Sequence, residues 1–128
     1  MLNQQLWHAP RRTIVSIIDD DTRTARIALL NDALRKTCFG GTLVFTAGVQ
    51  RLGPVFLTEV LNALQRYDDF GDDNDPHGEH DFGKLILSGE ELFWKIDYYD
   101  QNLEFGSKNP ADPKVTKRVL TVMLVEEY

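Results

Sequence analysis

The stretch that decides the fold is 82-FGKLILSGEELFWKIDYY-99. Two runs rich in apolar residues, 82–87 and 92–99, are separated by the polar segment Ser88-Gly89-Glu90-Glu91, a pattern typical of a β-hairpin. In the second run apolar residues alternate with more polar ones, so we expect one buried face. The apolar set is Leu92, Trp94, Ile96 and Tyr98.

The residues around this hairpin predict two helices and two more strands. The predicted elements are a helix over 21–37, a strand over 42–50, a helix over 55–67 and a strand over 117–126. Apolar residues recur at three- and four-residue steps in both helices, and Pro54 suits the first turn of the second. The last strand is apolar on both faces, which favours a central position in the sheet.

This order of elements predicts an α+β fold, with a mostly antiparallel sheet of about four strands and two helices packed on one face. The predicted buried or half-buried strand residues are Trp94, Ile96, Val119, Thr121 and Met123, covered by Leu30, Leu34, Val60 and Leu64. We divide the chain into an N-terminal arm (1–21) and a single α+β domain (22–128). Residues 13–18 fit either a strand or part of a longer first helix.

Length and composition place the chain among single-domain globular proteins. It has 128 residues and a net charge of −6, with 42% hydrophobic and 27% charged residues. No run approaches the roughly 20 apolar residues of a membrane span, and the N-terminus lacks the order of a signal peptide. The single Cys38 excludes an internal disulfide and any multi-cysteine metal site. We therefore expect a soluble cytoplasmic protein.

The acidity of the chain is concentrated in residues 68–81, DDFGDDNDPHGEHD, which hold seven acids and no Lys or Arg. The rest of the chain is nearly neutral, so the segment predicts a local function. Its natural partner is a basic protein surface, and direct binding to nucleic acid or to a membrane is disfavoured. The candidate partner-binding residues are Asp68, Asp69, Asp72, Asp73, Asp75 and Glu79.

The same segment also suggests a metal site. Imidazole and carboxylate groups are ligands that zinc, iron or manganese prefer, and His77, Glu79, His80 and Asp81 are the candidates. The spacing matches neither a helical HExxH motif nor an EF-hand loop. The alternative is a structural role, in which His80 and Asp81 brace the next strand through hydrogen bonds. We therefore expect no cofactor, and a divalent metal is the alternative.

An enzyme without a metal would need a base and a nucleophile. His80 is a candidate base, oriented by Asp81 or Asp97, because a carboxylate partner fixes the imidazole tautomer. No nucleophile accompanies it, since Cys38 follows a predicted helix end, where the helix dipole disfavours the thiolate. Lys95, Asp97 and Tyr99 share one face of the hairpin, where they form either a polar site or an ordinary surface network.

Four strings give the chain a family resemblance: LNDALRKT with the Gly-Gly that follows, FGDDNDPHGEHDFG, FWKIDYYD and DPKVTKRVLTVMLVEEY. Together they resemble the family called domain of unknown function 3768, over residues 22–128. The resemblance implies a small alphaproteobacterial protein, often carried on plasmids and other mobile elements. It implies no reaction, cofactor or catalytic residue, and its setting favours a role in defence or counter-defence.

Two functional hypotheses follow from the residues and the resemblance. The preferred one is a non-catalytic interaction protein that presents its acidic loop to a basic partner, for example as an anti-CRISPR or anti-restriction inhibitor. The partner would be a nucleic-acid-binding protein of a defence system. The alternative is a metal-dependent hydrolase that uses the His, Glu and Asp side chains of residues 75–81.

Overall fold

The computed structural model describes the backbone of residues 4–128 and the side chains of residues 19–128. Three α-helices and four β-strands in this part of the chain confirm the α+β class. In chain order they are α1 (Gln4–Thr37), β1 (Thr42–Phe45), α2 (Ala47–Gln50), α3 (Pro54–Arg66), β2 (Phe82–Leu87), β3 (Glu90–Tyr99) and β4 (Lys117–Leu124), and a 3-10 turn follows at Val125–Glu127.

The four strands form one mixed sheet in the order β1-β4-β3-β2. The pairs β2–β3 and β3–β4 are antiparallel and β1 is parallel to β4, so the mostly antiparallel sheet and the central last strand are confirmed. The hairpin turn is tighter than expected. Ser88 and Gly89 both have positive φ, 50° and 81°, as a two-residue turn that matches the strand twist requires, and β3 therefore begins at Glu90.

The strand expected over 42–50 is wrong in its second half, because β1 ends at Phe45 and the chain turns into α2. Side-chain bonds explain the change. The Thr46 hydroxyl accepts a hydrogen bond from the backbone N–H of Val49, and the Gln50 amide donates to the carbonyl of Phe45 at 2.8 Å. This local capping outweighs the β propensity of the segment.

The first helix is longer than the periodicity indicated. It runs without a break from Gln4 to Thr37, so residues 13–18 belong to a longer first helix and not to a strand. The boundary proposed between residues 21 and 22 falls within this helix, and the division into arm and domain stays a prediction. Residues 1–3 of the arm, and its side chains up to residue 18, lie outside the described part.

The hydrophobic core lies between the helices and one face of the sheet. It contains residues from α1, α3 and every second position of the central strands: Leu34, Val60, Leu64, Leu92, Trp94, Ile96, Leu120 and Val122. Leu30, which was also expected to cover the sheet, is half-buried and does not belong to this core cluster. Val119, Thr121 and Met123 alternate with the core residues of β4, so they face away from the helices that were expected to cover them.

The face of β4 that the helices cover was predicted wrongly for a simple reason. Both faces of β4 are apolar, so the residue types in that strand do not show which face the helices cover. Val119 and Thr121 are half-buried on the other face, and Met123 is buried there.

Gly83 allows the end of α3 to approach the sheet closely. A Cβ atom at this position would lie 2.5 Å from Trp94 Nε1 and 2.5 Å from Tyr67 Cζ, well inside van der Waals contact. Gly83 also sits in register with Trp94 across the hairpin. Close packing therefore requires a glycine at this position.

We predict that Leu64→Ala lowers the free energy of unfolding by about 2–5 kcal/mol, because Leu64 is 1% exposed in the core and its truncation leaves a cavity. Leu29→Ala is the matched control, since Leu29 is a helical leucine with 69% exposure. Urea denaturation of both variants measures the difference. Equal stability losses would contradict the assigned core.

Candidate functional site

The acidic segment joins α3 to β2, and its first half lies on the surface. Its four exposed carboxylates, which we call the acidic rim, belong to Asp68, Asp69, Asp72 and Asp73. Asn74 holds the backbone beneath them. Its amide donates to the Asp69 carbonyl at 2.8 Å, and its Oδ1 accepts from the Gly71 N–H at 3.0 Å. Asn74 thus fixes the backbone that precedes it, and the rim side chains take no part in these bonds.

The second half of the segment folds inward. Asp75 is 8% exposed, and its Oδ1 accepts the backbone N–H of His80 at 3.0 Å. Glu79 and Asp81 are half-buried. Of the six predicted partner-binding residues, the structure therefore exposes the four of the acidic rim and turns Asp75 and Glu79 into the protein.

His80 connects this inner loop to α1. Its Nδ1 lies 2.9 Å from Asp32 Oδ1, and its Nε2 lies 3.7 Å from Asp75 Oδ2. The ring stacks on Phe70 with centroids 3.9 Å apart and planes 4° apart. His80 has a φ of 57°, a left-handed conformation that a bulky residue adopts only when its surroundings hold it there.

Asn31 of α1 makes three side-chain hydrogen bonds in this region, and it is fully buried. Its amide donates to the Glu79 carbonyl at 2.9 Å and to the Tyr98 hydroxyl at 2.8 Å. Its Oδ1 accepts from Arg118 Nε at 2.9 Å. The Tyr98 hydroxyl in turn donates to Glu79 Oε1 at 2.7 Å. One amide therefore links α1, the loop, β3 and β4.

Two buried arginines complete the arrangement. Arg35 donates from Nε to the Leu64 carbonyl at 3.1 Å and from Nη1 to Asp32 Oδ1 at 2.8 Å. The Arg118 guanidinium donates to the Pro110 carbonyl and lies 5.3 Å from the centroid of the Tyr98 ring. Burial lowers the pKa of Arg118, although an arginine keeps its charge in proteins.

We call these eight residues the polar network: Asn31, Asp32, Arg35, Asp75, Glu79, His80, Tyr98 and Arg118. They come from all four strings that carry the family resemblance. The network ties the inner loop to the helix and the sheet with charge-assisted bonds, and so holds the acidic rim in one place.

Sequence reasoning missed five members of the polar network: Asn31, Asp32, Arg35, Tyr98 and Arg118. A signal for two of them was available. Asn31 lies four residues after Ile27 and three before Leu34, on the inward stripe of α1. Arg118 shares the inward alternation of Leu120 in β4. A polar residue at such a position needs a buried partner.

The structure does not gather the predicted metal ligands His77, Glu79, His80 and Asp81 into one site. Among residues 19–128, no group of three or more His, Cys, Asp or Glu side chains is placed to hold a metal ion. His77 is exposed, and both ring nitrogens of His80 face aspartates of the polar network. The metal-dependent hydrolase stays a prediction to which this geometry adds no support.

The structure also does not match the hypothesis that His80 acts as a general base without a metal. His80 lies against Asp32 and Asp75, not against Asp81 or Asp97 as suggested. Asp97 instead pairs with Lys95 at 2.7 Å on the other face of the sheet. Cys38 is exposed in the turn after α1.

The fold and the polar network define a small α+β protein with an internally braced acidic loop. The chain belongs to the family described as Protein of unknown function (DUF3768), whose model matches residues 45–127, more than half of the chain. The match includes two of the four strings in full and the last one up to residue 127, and it leaves out LNDALRKT, which supplies Asn31, Asp32 and Arg35. Comparisons with curated proteins and with solved structures find no match.

Within the described part of the chain, no helix has both the length and the apolar character needed to cross a membrane.

We predict that Asp32→Asn and Asp81→Asn shift the free energy of unfolding at pH 7 in opposite directions. Burial opposes the charge of Asp32, but hydrogen bonds from Arg35 and His80 outweigh it and lower the pKa of that carboxyl. Burial and the neighbouring Glu79 raise the pKa of Asp81. Asp32→Asn should therefore destabilise the protein, and Asp81→Asn should stabilise it.

The pH dependence separates the two variants further. The stabilisation from Asp32 is present above about pH 4 and is lost as the pH falls through its lowered pKa. The stability linked to Asp81 is present below about pH 4 and is lost as the pH rises through its raised pKa. Urea denaturation between pH 3 and pH 7 measures both. The same sign of change at pH 7 would contradict these assignments.

We also predict that Tyr98→Phe lowers the free energy of unfolding by about 1–3 kcal/mol, because it leaves Asn31 and Glu79 without their shared hydroxyl. The matched control is Tyr99→Phe in the same strand, since the Tyr99 hydroxyl has no hydrogen-bond partner among residues 19–128. Thermal or urea denaturation compares the two. An equally small effect of both changes would show that the network is not stabilising.

Proposed function

We propose that the protein is a non-catalytic interaction protein that presents the acidic rim to a basic surface of a partner protein. The observation that carries the proposal is the division of the acidic segment. Its inner residues are used in the polar network, whereas the rim side chains are exposed and make no hydrogen bond within residues 19–128. Four free carboxylates on a braced loop form a local negative field.

The immediate surroundings of the rim preserve that field. Asp69, Asp72 and Asp73 line an open depression of about 260 Å³ together with Tyr67, Asn74, Phe82 and Lys84. Lys84 is the one basic side chain in this lining, and it pairs with Glu91 at 2.8 Å. Because this lysine is already engaged, its charge is offset locally and the depression remains acidic.

The polar network also holds the acidic loop in one conformation before a partner binds. A flexible acidic loop would lose conformational entropy on binding, whereas a loop already fixed by Asn74 and His80 loses less. Several carboxylates on a fixed loop also present negative charge to a surface that binds phosphates, which suits the groove of a nucleic-acid-binding protein.

We propose a cytoplasmic nucleic-acid-binding protein of a defence system, such as a restriction or CRISPR nuclease, as the partner class. The mobile-element setting that the family resemblance implies supports this choice, together with the charge of the rim. The rest of the chain is nearly neutral, so the contact that we propose is confined to the rim and its surroundings.

The test uses a synthetic peptide of alternating Lys and Ser, the basic peptide, as a probe of the rim. We expect the variant Asp68→Asn, Asp69→Asn, Asp72→Asn, Asp73→Asn to bind it at least about tenfold more weakly than the wild type at low salt. Binding to the wild type should also weaken steeply from low to moderate ionic strength. Isothermal titration calorimetry measures both effects.

A variant with the same change of charge elsewhere is the control. Asp19, Asp20, Asp21 and Glu104 are exposed and lie outside the acidic segment. The variant Asp19→Asn, Asp20→Asn, Asp21→Asn, Glu104→Gln should keep most of the wild-type affinity. If both variants bind the basic peptide with the same affinity, the net charge of the protein alone determines binding, and the acidic rim is not a binding site.

A further inference from the structure

The face of the sheet turned away from the core carries a second candidate surface. We call it the open face, and its members from the three longest strands include Phe82, Lys84, Ile86, Phe93, Lys95, Asp97, Val119, Thr121 and Met123. None of these residues belongs to the core cluster that α1 and α3 cover. The open face is nevertheless rich in apolar side chains. Ile86 is 67% exposed, whereas Phe82, Phe93 and Val119 are half-buried and Met123 is buried, so its exposed apolar part lies next to β2.

An aromatic cluster lies on the open face next to β2. The rings of Phe82 and Phe93 are 5.1 Å apart between centroids, and Tyr128 lies 5.3 Å from Phe93 and 6.1 Å from Phe82. Tyr128 is 74% exposed, and Ile86 on the same face is 67% exposed. This cluster offers the kind of aromatic contact that contributes strongly to protein interfaces.

Phe82 joins this cluster to the acidic rim. It lines the depression that contains Asp69, Asp72 and Asp73, so the apolar and acidic surfaces are continuous. Two ion pairs offset charges on the part of the open face nearest the rim, Lys84 with Glu91 at 2.8 Å and Lys95 with Asp97 at 2.7 Å, and Lys117 lies on the same face at the start of β4. The negative field at this surface therefore comes from the rim at its border.

We propose that the open face and the acidic rim together bind a basic amphipathic helix of the partner protein. This rests on the proposed function and extends it to the form of the partner. An exposed apolar area on a sheet, such as that formed by Ile86 and Tyr128, packs well against a helix with an apolar stripe. Lysines or arginines along one side of that helix would meet the rim. A second copy of this chain fits less well, because it would bring one acidic rim towards another.

The test compares two helical peptides that carry the same lysines along one side. The apolar peptide has leucines at helical spacing, and the polar peptide has glutamine in their place. We expect the wild type to bind the apolar peptide at least about tenfold more tightly. Tyr128→Ser and Ile86→Ser, at exposed positions that do not threaten folding, should each reduce this preference. Phe39→Ser is the control, since Phe39 is 79% exposed and lies outside the aromatic cluster.

The outcomes separate the two proposals. Loss of the preference in Tyr128→Ser and Ile86→Ser, but not in Phe39→Ser, supports the inference. Equal affinity of the wild type for both peptides overturns it, and the proposed function then still stands if neutralising the rim weakens both. Unchanged preference in all three variants places the apolar contact elsewhere and also overturns it. If the wild type is a dimer and Tyr128→Ser converts it to a monomer, the open face binds a second copy of this chain, and the inference is overturned.

Discussion

The buried side chain of Asn31 is the constraint on which the arrangement of the acidic loop depends. Its amide satisfies the Glu79 carbonyl and the Tyr98 hydroxyl, while its carbonyl oxygen receives Arg118. The Asn31 side chain is fully buried and its bond to Arg118 is buried as well, so losing a partner would leave a buried polar group of Asn31 unsatisfied. This cost favours one position of the inner loop relative to α1, β3 and β4. Because the acidic rim belongs to the same segment of the chain, its position is fixed as well.

The acidic segment has two physical roles that its composition does not separate. Inner acids are held by partners that offset their burial: Asp75 accepts a backbone N–H, and Glu79 accepts the Tyr98 hydroxyl. Outer acids form no such bonds with residues 19–128 and are exposed to solvent, where repulsion among them is screened. The segment is therefore both a structural brace and an exposed charge, and the first role makes the second one rigid. The proposed interaction depends on that rigidity.

The two faces of the sheet also have different roles. One face is covered by α1 and α3 and holds the core, whereas the other carries Phe82, Phe93 and Tyr128 next to the acidic rim. Gly83 lies between these two environments, because its missing side chain lets Tyr67 and Trp94 meet behind β2. The close packing on the covered side thus places the rim loop against the edge of the open side. A partner that bound both surfaces would gain charge attraction and apolar burial together.

The sequence alone determined the hairpin, α3, the central position of β4 and the α+β class, because each of these depends on local periodicity and turn chemistry. It also located the acidic segment. Only the tertiary structure decided which face of β4 meets the helices, since both faces are apolar. It likewise decided that His80 faces Asp32 across 48 positions of sequence, and that Asn31 joins four separate strings. Such contacts follow from how helix, loop and sheet pack, and no spacing between neighbouring residues encodes them.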